Sequence, residues 1–153
     1  MNKKNTDELE KILGSTHPND MEHFLDENKD SLLEEDRPFK HYMDEKLKEK
    51  GLQRYDVFIA ADIPDRYGYK LLSGEKRTKR RDVIIRLCYA AEFSLDELQK
   101  ALKLYEMPQL YAKIKRDALI MVCFNQRPGS ILEVNSFLKK NSCEPLNTVG
   151  SQE

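Results

Sequence analysis

The chain has 153 residues and a mass of 18.0 kDa, the size of one ordinary domain with room for a small appendage, which excludes two large domains. Its 26 Lys and Arg against 27 Asp and Glu give a net charge of −1, with 39% apolar and 35% charged residues, so the total selects neither an acidic nor a basic partner. By segment, residues 1–38 hold five basic and eleven acidic side chains (net −6), 39–116 eighteen and twelve (net +6), and 117–153 three and four (net −1), an asymmetry that points to nucleic acid or an internal electrostatic latch.

Along the chain, apolar residues recur with helical spacing and almost nowhere with the alternation of a strand. Met21, Phe24, Leu25, Leu32 and Leu33 predict one or two short helices in the leader, after a break at Thr16–Asp20. Phe39, Tyr42, Met43 and Leu47 share one helical face, which Gly51 can close. Val57, Phe58, Ala60, Ala61 and Ile63 predict a short helix cut off by Pro64, and a third runs from Asp65 through Leu72 to Ser73-Gly74. After the basic run Lys76-Arg77-Thr78-Lys79-Arg80-Arg81, the residues Val83, Ile84, Leu87, Cys88 and Ala91 mark a fourth helix, with Arg81-Asp82 read as a structural pair at its start. Ser94-Leu95-Asp96-Glu97 is a capping box, in which serine and glutamate satisfy each other's backbone N–H groups, and it opens a fifth helix that Pro108 ends.

Arg116 to Asn125 holds seven consecutive apolar residues; with no partner strand in the sequence, a fully buried helix is expected there. Ser130 to Glu133 is a second capping box, opening a helix with Ile131, Val134, Phe137 and Leu138 inward. Beyond Pro145 the stretch Leu146 to Glu153 is polar and is expected to fray. The expectation is an all-α chain: an acidic helical or partly flexible leader (1–38), a five-helix domain (39–110), a helical extension (111–146) and a frayed tail (147–153).

Two short helices joined by a three-to-four-residue turn are what a helix-turn-helix requires. Gly51-Leu52, Ile63, the segment Lys70 to Lys76 with its glycine, and Val83 through the Ser94-Leu95-Asp96-Glu97-Leu98 link are the residues that carry a family likeness. On them, residues 39–110 resemble the lambda-repressor-like, XRE-family helix-turn-helix domains. Leu110 to Ala118 and Glu133-Val134-Asn135 are similar in general pattern to a longer bacterial subgroup of such regulators. The resemblance implies a lambda-repressor-like five-helix bundle, a sequence-specific DNA-binding transcriptional regulator, double-stranded DNA as partner and a homodimer. The apolar segments 117–125 and 131–138 are the candidates for the dimer contact, the alternative being that they only extend the core.

Several residues depart from the family pattern. Arg54 stands where a phosphate-bracing glutamine is usual, Phe58 where a small alanine is, and Asp62 where a turn glycine is common. Gly68 takes the inward apolar position of the recognition helix, where it costs about 0.5 to 1 kcal/mol relative to alanine and needs a packing reason. The bulk of Phe58 filling the space left at Gly68 is the reciprocal arrangement expected.

Arg66, Tyr69 and Lys70 lie at i, i+3 and i+4 of the third helix and share a face, flanked by Asp65 and Tyr67. These five are the candidate base contacts, since arginine and lysine pair with guanine in the major groove at about 1–3 kcal/mol of discrimination each. Arg54, Lys76, Arg77, Lys79 and Arg80 are the candidate phosphate contacts, which position without reading sequence. The alternative is a solvated charge run and a helix-turn-helix scaffold that binds a protein, with the acidic leader as part of the docking surface.

Other classes find no motif. No run approaches the ~18 apolar residues of a membrane helix, and Met1 to Asp7 lack the apolar stretch of a secretory signal, so a cytoplasmic protein without membrane contact is expected. Cys88, Cys123 and Cys143 are an odd number and widely spaced, as expected of reduced structural thiols. His17, His23 and His41 are not spaced as ligands on one helix, and no nucleotide, hydrolase or metalloprotease pattern is present, so no metal, cofactor or catalysis is expected.

Overall fold

A computed structural model describes residues 4–27 and 37–148, and among them every regular element is helical. The chain separates into two compact units, Met1–Arg37 and Pro38–Glu153. In the first, α1 (Thr6–Leu13) is a helix outside the expected set, although Leu9, Ile12 and Leu13 fall at helical spacing. Asn5 starts it by accepting the Glu8 N–H at 2.8 Å, while Asp7 and Glu8 in the first turn and Lys11 in the last complement the helix dipole. The expected break is a single 3₁₀ turn, Pro18–Asp20, and α2 (Met21–Glu27) follows with Phe24 buried. Leu32 and Leu33 lie outside the described residues.

The second unit contains α3 (Pro38–Lys50), α4 (Arg54–Ala61), α5 (Asp65–Ser73), α6 (Arg81–Ala90), α7 (Leu95–Leu104), α8 (Lys115–Gln126) and α9 (Ile131–Lys140). Both capping boxes form as their spacing requires. Helix ends here repeat one device, an N–H folded back to a carbonyl five residues earlier across a left-handed residue. Gly51 serves α3, with the Leu52 N–H on the Leu47 carbonyl. Asp62 (φ 56°) serves α4, with Ile63 on Phe58, and Glu92 (φ 61°) serves α6, with Phe93 on Cys88. The turn glycine missing at 62 is thus replaced by a residue that tolerates the same conformation.

The core lies around α6, which packs against α4, α7 and α9 and buries Val83, Ile84, Ile85, Leu87 and Cys88 completely. At about 1.5–3 kcal/mol for each large side chain taken from water, this one helix supplies a large share of the hydrophobic stabilisation. Residues 111–146 are no separate layer, because Ile120, Phe124, Ile131, Val134 and Leu138 belong to the same cluster as Phe39 and Met43. Helix α8 is not fully buried as expected: Ile120, Cys123 and Phe124 face inward while Val122 is exposed.

The start of the tail also departs from expectation. Leu146 is buried, its N–H donates to Asn135 Oδ1 at 2.9 Å, and its carbonyl accepts from Arg86 at 2.7 Å. Arg86, 3% exposed, donates further to the Asn147 carbonyl (2.8 Å) and the Ala61 carbonyl (3.1 Å). One guanidinium thereby fastens the tail to the end of α4. A lone leucine after a proline has no periodicity to announce it, which is why it read as solvent-facing. Residues 149–153 of the expected frayed tail lie outside the described residues.

Arg81 and Asp82 do not pair with each other. Arg81 forks onto Asp117 at 2.5 and 3.2 Å, and Arg116 forks onto Asp82 at 2.8 and 3.0 Å, so the Arg-Asp starts of α6 and α8 exchange partners. Asp117 is wholly buried and also accepts the Tyr111 N–H at 2.9 Å; Asp82 accepts the Asn147 N–H at 2.8 Å. Both carboxylates are therefore satisfied, as buried charges must be.

Candidate nucleic-acid interface

Three residues, Asp62, Ile63 and Pro64, separate α4 from α5. Ile63 is buried and anchors the turn, and the Pro64 carbonyl accepts the Gly68 N–H at 2.9 Å to start α5. Gly68, Leu71 and Leu72 face inward. A Cβ at Gly68 would stand 2.5 Å from Phe58 Cδ1, closer than real side chains approach, so the phenyl ring occupies the space the glycine leaves. The two departures at 58 and 68 are one packing solution, and it holds α5 tightly against α4.

The outer side of α5 carries Asp65, Arg66 and Tyr69, all exposed, and Lys70, half-buried. Neither the Arg66 guanidinium nor the Lys70 ammonium forms an ion pair with a described residue. Asp65 turns its carboxylate back onto the Arg66 N–H at 2.9 Å. Tyr69 stands edge-on against Phe58, with centroids 4.9 Å apart, which fixes its ring while 44% of the residue stays exposed. Tyr67, expected beside these residues, is half-buried and packs against the core.

An open cleft of about 330 Å³ runs between α3, α4 and α5, lined by Lys40, Asp44, Arg54, Tyr69, Lys70 and Glu75. Asp44 holds Lys40 and Arg54 at 2.8 Å each. Burial opposes its charge, yet these two cations hold its carboxyl below the usual aspartate range. Arg54, expected at a phosphate, is thus engaged by Asp44, although its side chain remains 47% exposed.

Gly74 ends α5 with φ 86°, and the Lys76 N–H returns to the Lys70 carbonyl at 3.1 Å, folding the basic run over the helix end. Thr78 is the buried pin of this run: its N–H donates to the Tyr105 hydroxyl at 2.9 Å and its Oγ1 accepts the Arg80 N–H at 3.0 Å. Arg77, expected at a phosphate, donates to the Tyr105 carbonyl at 2.8 Å and lies 4.4 Å over the Tyr105 ring. Arg80 is half-buried and partnered. Lys76 and Lys79 are exposed and form no ion pair with a described residue.

The structure therefore brings Arg66, Tyr69 and Lys70 to one accessible side of α5, with Lys76 and Lys79 on the loop that follows, while Tyr67 and Arg77 turn to structural contacts. Arg86 and Arg116 did not stand out in the sequence; for Arg116 the repeated Arg-Asp at the starts of α6 and α8 was the available signal. Cys88 and Cys123 are buried, burial pushes both thiols up, and no cluster of His, Cys, Asp and Glu suited to a metal occurs among the described residues. Among those residues no helix is long and apolar enough to cross a membrane. No protein-family model, curated protein or solved structure matches the chain.

Proposed function

We propose that this chain is a sequence-specific DNA-binding transcriptional regulator of the lambda-repressor-like type, with α4 and α5 as its helix-turn-helix and α5 as the recognition helix. The observation that carries the reading is that Arg66 and Lys70, on the accessible side of α5, form no ion pair with a described residue, while Arg77 is engaged by Tyr105, Arg81 by Asp117, Arg86 by the tail and Arg116 by Asp82. Two such cations, one turn apart, suit guanine edges in a major groove. Lys76 and Lys79 supply phosphate contacts beside them, and Arg54 adds a third on leaving Asp44.

A reader this small gains specificity as a homodimer on half-sites about one helical turn apart. The apolar residues of α8 and α9 are largely committed to the core, which leaves Val122 and Leu132 as the exposed centre for such a contact.

The test is the double substitution Arg66→Ala with Lys70→Ala, measured against a duplex selected from a random pool. Preference for that duplex over random DNA falls by about 1–3 kcal/mol per lost contact, while the thermal melt is unchanged. Wild-type preference in the double variant would rule out α5 as the recognition helix.

One observation favours a second reading, a protein-binding adaptor. Tyr55 and Ile59, a turn apart on the outside of α4, are 53% and 62% exposed and form an apolar strip. Fluorescence anisotropy with random duplex from about 50 to 300 mM salt separates the two: a DNA reader loses affinity steeply, and a weak, flat signal selects the adaptor.

A further inference from the structure

The ten residues between α7 and α8 have no helix of their own, yet they are fastened from Tyr105 to Tyr111. Gln99 accepts the Leu110 N–H (2.8 Å) and donates to the Leu110 carbonyl (2.9 Å), and Leu110 is buried. The Tyr111 N–H is held by Asp117. The other fastenings come from the basic run after α5: Thr78 and Arg77 on Tyr105, and Arg81 on the Pro108 and Gln109 carbonyls at 3.4 Å each. The connector and the basic run are therefore bound side by side, and the crossed Arg-Asp pairs lock the starts of α6 and α8 next to each other.

Lys113 lies on this connector and Lys115 is the first residue of α8, both exposed and neither in an ion pair with a described residue. Lys40, Lys46 and Lys50 of this unit, by contrast, pair with Asp44, Glu49 and Glu97. Glu106 is the one carboxylate between Tyr105 and Lys115. Cations gathered at two adjoining connections, with the backbone already ordered, meet a polyanion at little ordering cost.

We propose that Lys113 and Lys115 form a second phosphate-contacting loop that continues the strip Lys76 and Lys79, so that the DNA backbone is gripped by the α5–α6 and α7–α8 connections together. The proposal rests on the DNA-binding reading above and adds to it a surface outside the helix-turn-helix. It explains why the basic run is stapled to the α7–α8 connector, and it assigns residues 111–115 a role in affinity and none in base choice.

The experiment compares the full chain with Lys113→Gln/Lys115→Gln and Lys113→Arg/Lys115→Arg by fluorescence anisotropy on random and selected duplexes, across a fourfold rise in salt. Removing two phosphate contacts makes the log–log salt slope shallower by about 1.8, so the wild type loses roughly twelvefold more affinity than the glutamine variant over that rise. The ratio of selected to random binding stays unchanged, and the arginine variant keeps the wild-type slope. A glutamine variant with the wild-type slope overturns this inference and leaves the helix-turn-helix reading standing. A wild type that binds neither duplex overturns both.

Discussion

Two neighbouring parts of the folded unit use the same residue types in opposite ways. Around the starts of α6 and α8, Arg81, Arg86 and Arg116 meet Asp82, Asp117 and tail carbonyls in bonds of 2.5–3.4 Å, and most of these groups are withdrawn from water. On α5 and the loop after it, Arg66, Lys70, Lys76 and Lys79 have no ion pair with a described residue. A basic middle of net +6 thus contains a structural set that holds the fold and an outward set left for something else. Charge counting along the chain cannot separate them; only partnership can.

The largest effect belongs to the structural set. Asp117→Ala strands the Arg81 guanidinium beside a void and frees the Tyr111 N–H, and breaking a buried pair of this kind costs about 3–5 kcal/mol. Urea unfolding followed by circular dichroism measures it. Arg66→Ala, by contrast, falls within about 0.5 kcal/mol of wild type, as exposed substitutions without partners do. Equal costs at the two positions would erase the division.

Gly68→Ala comes next and probes the junction that sets α5 against α4. The added Cβ meets the Phe58 ring at 2.5 Å, and overpacking a filled core costs about 1–3 kcal/mol. Phe58→Leu in the same chain removes ring atoms from that contact and recovers part of the loss. A double variant no better than the sum of the singles would show that the two residues do not share one space.

Those two sites also mark how far the sequence could be read. Helices α3 to α9 were legible because each buries a stripe at helical spacing, and the capping boxes at Ser94 and Ser130 state their own geometry. The Phe58 and Gly68 relation was legible because two departures, one too large and one too small, fall on facing helices. The crossed pairs were not, since Arg116 and Asp82 lie 34 residues apart and adjacent Arg-Asp dipeptides look self-contained. Arg77 illustrates the same limit within the candidate site: a run of cations reads as uniform until Tyr105, 28 residues on, claims one of them. Side chains that reach across the fold have no period, so their partners become visible only once the backbone is placed.

The smallest effect compares two of the left-handed helix ends. Glu92 at φ 61° is exposed and carries a Cβ in a conformation that disfavours it, so Glu92→Gly stabilises by about 0.5–1 kcal/mol. Asp62 at φ 56° sits in the same geometry between α4 and α5, but aspartate tolerates it better. Its charge also faces Arg86, where it offsets the lowering of the arginine pKa that burial causes. Asp62→Gly therefore gains less than Glu92→Gly, or nothing, because the relief of backbone strain is set against a weaker hold on the guanidinium that ties Ala61 to the tail. Thermal melts of the two single variants decide it. A gain at 62 equal to that at 92 would mean that the aspartate serves only the turn, and that Arg86 holds the end of α4 without its help.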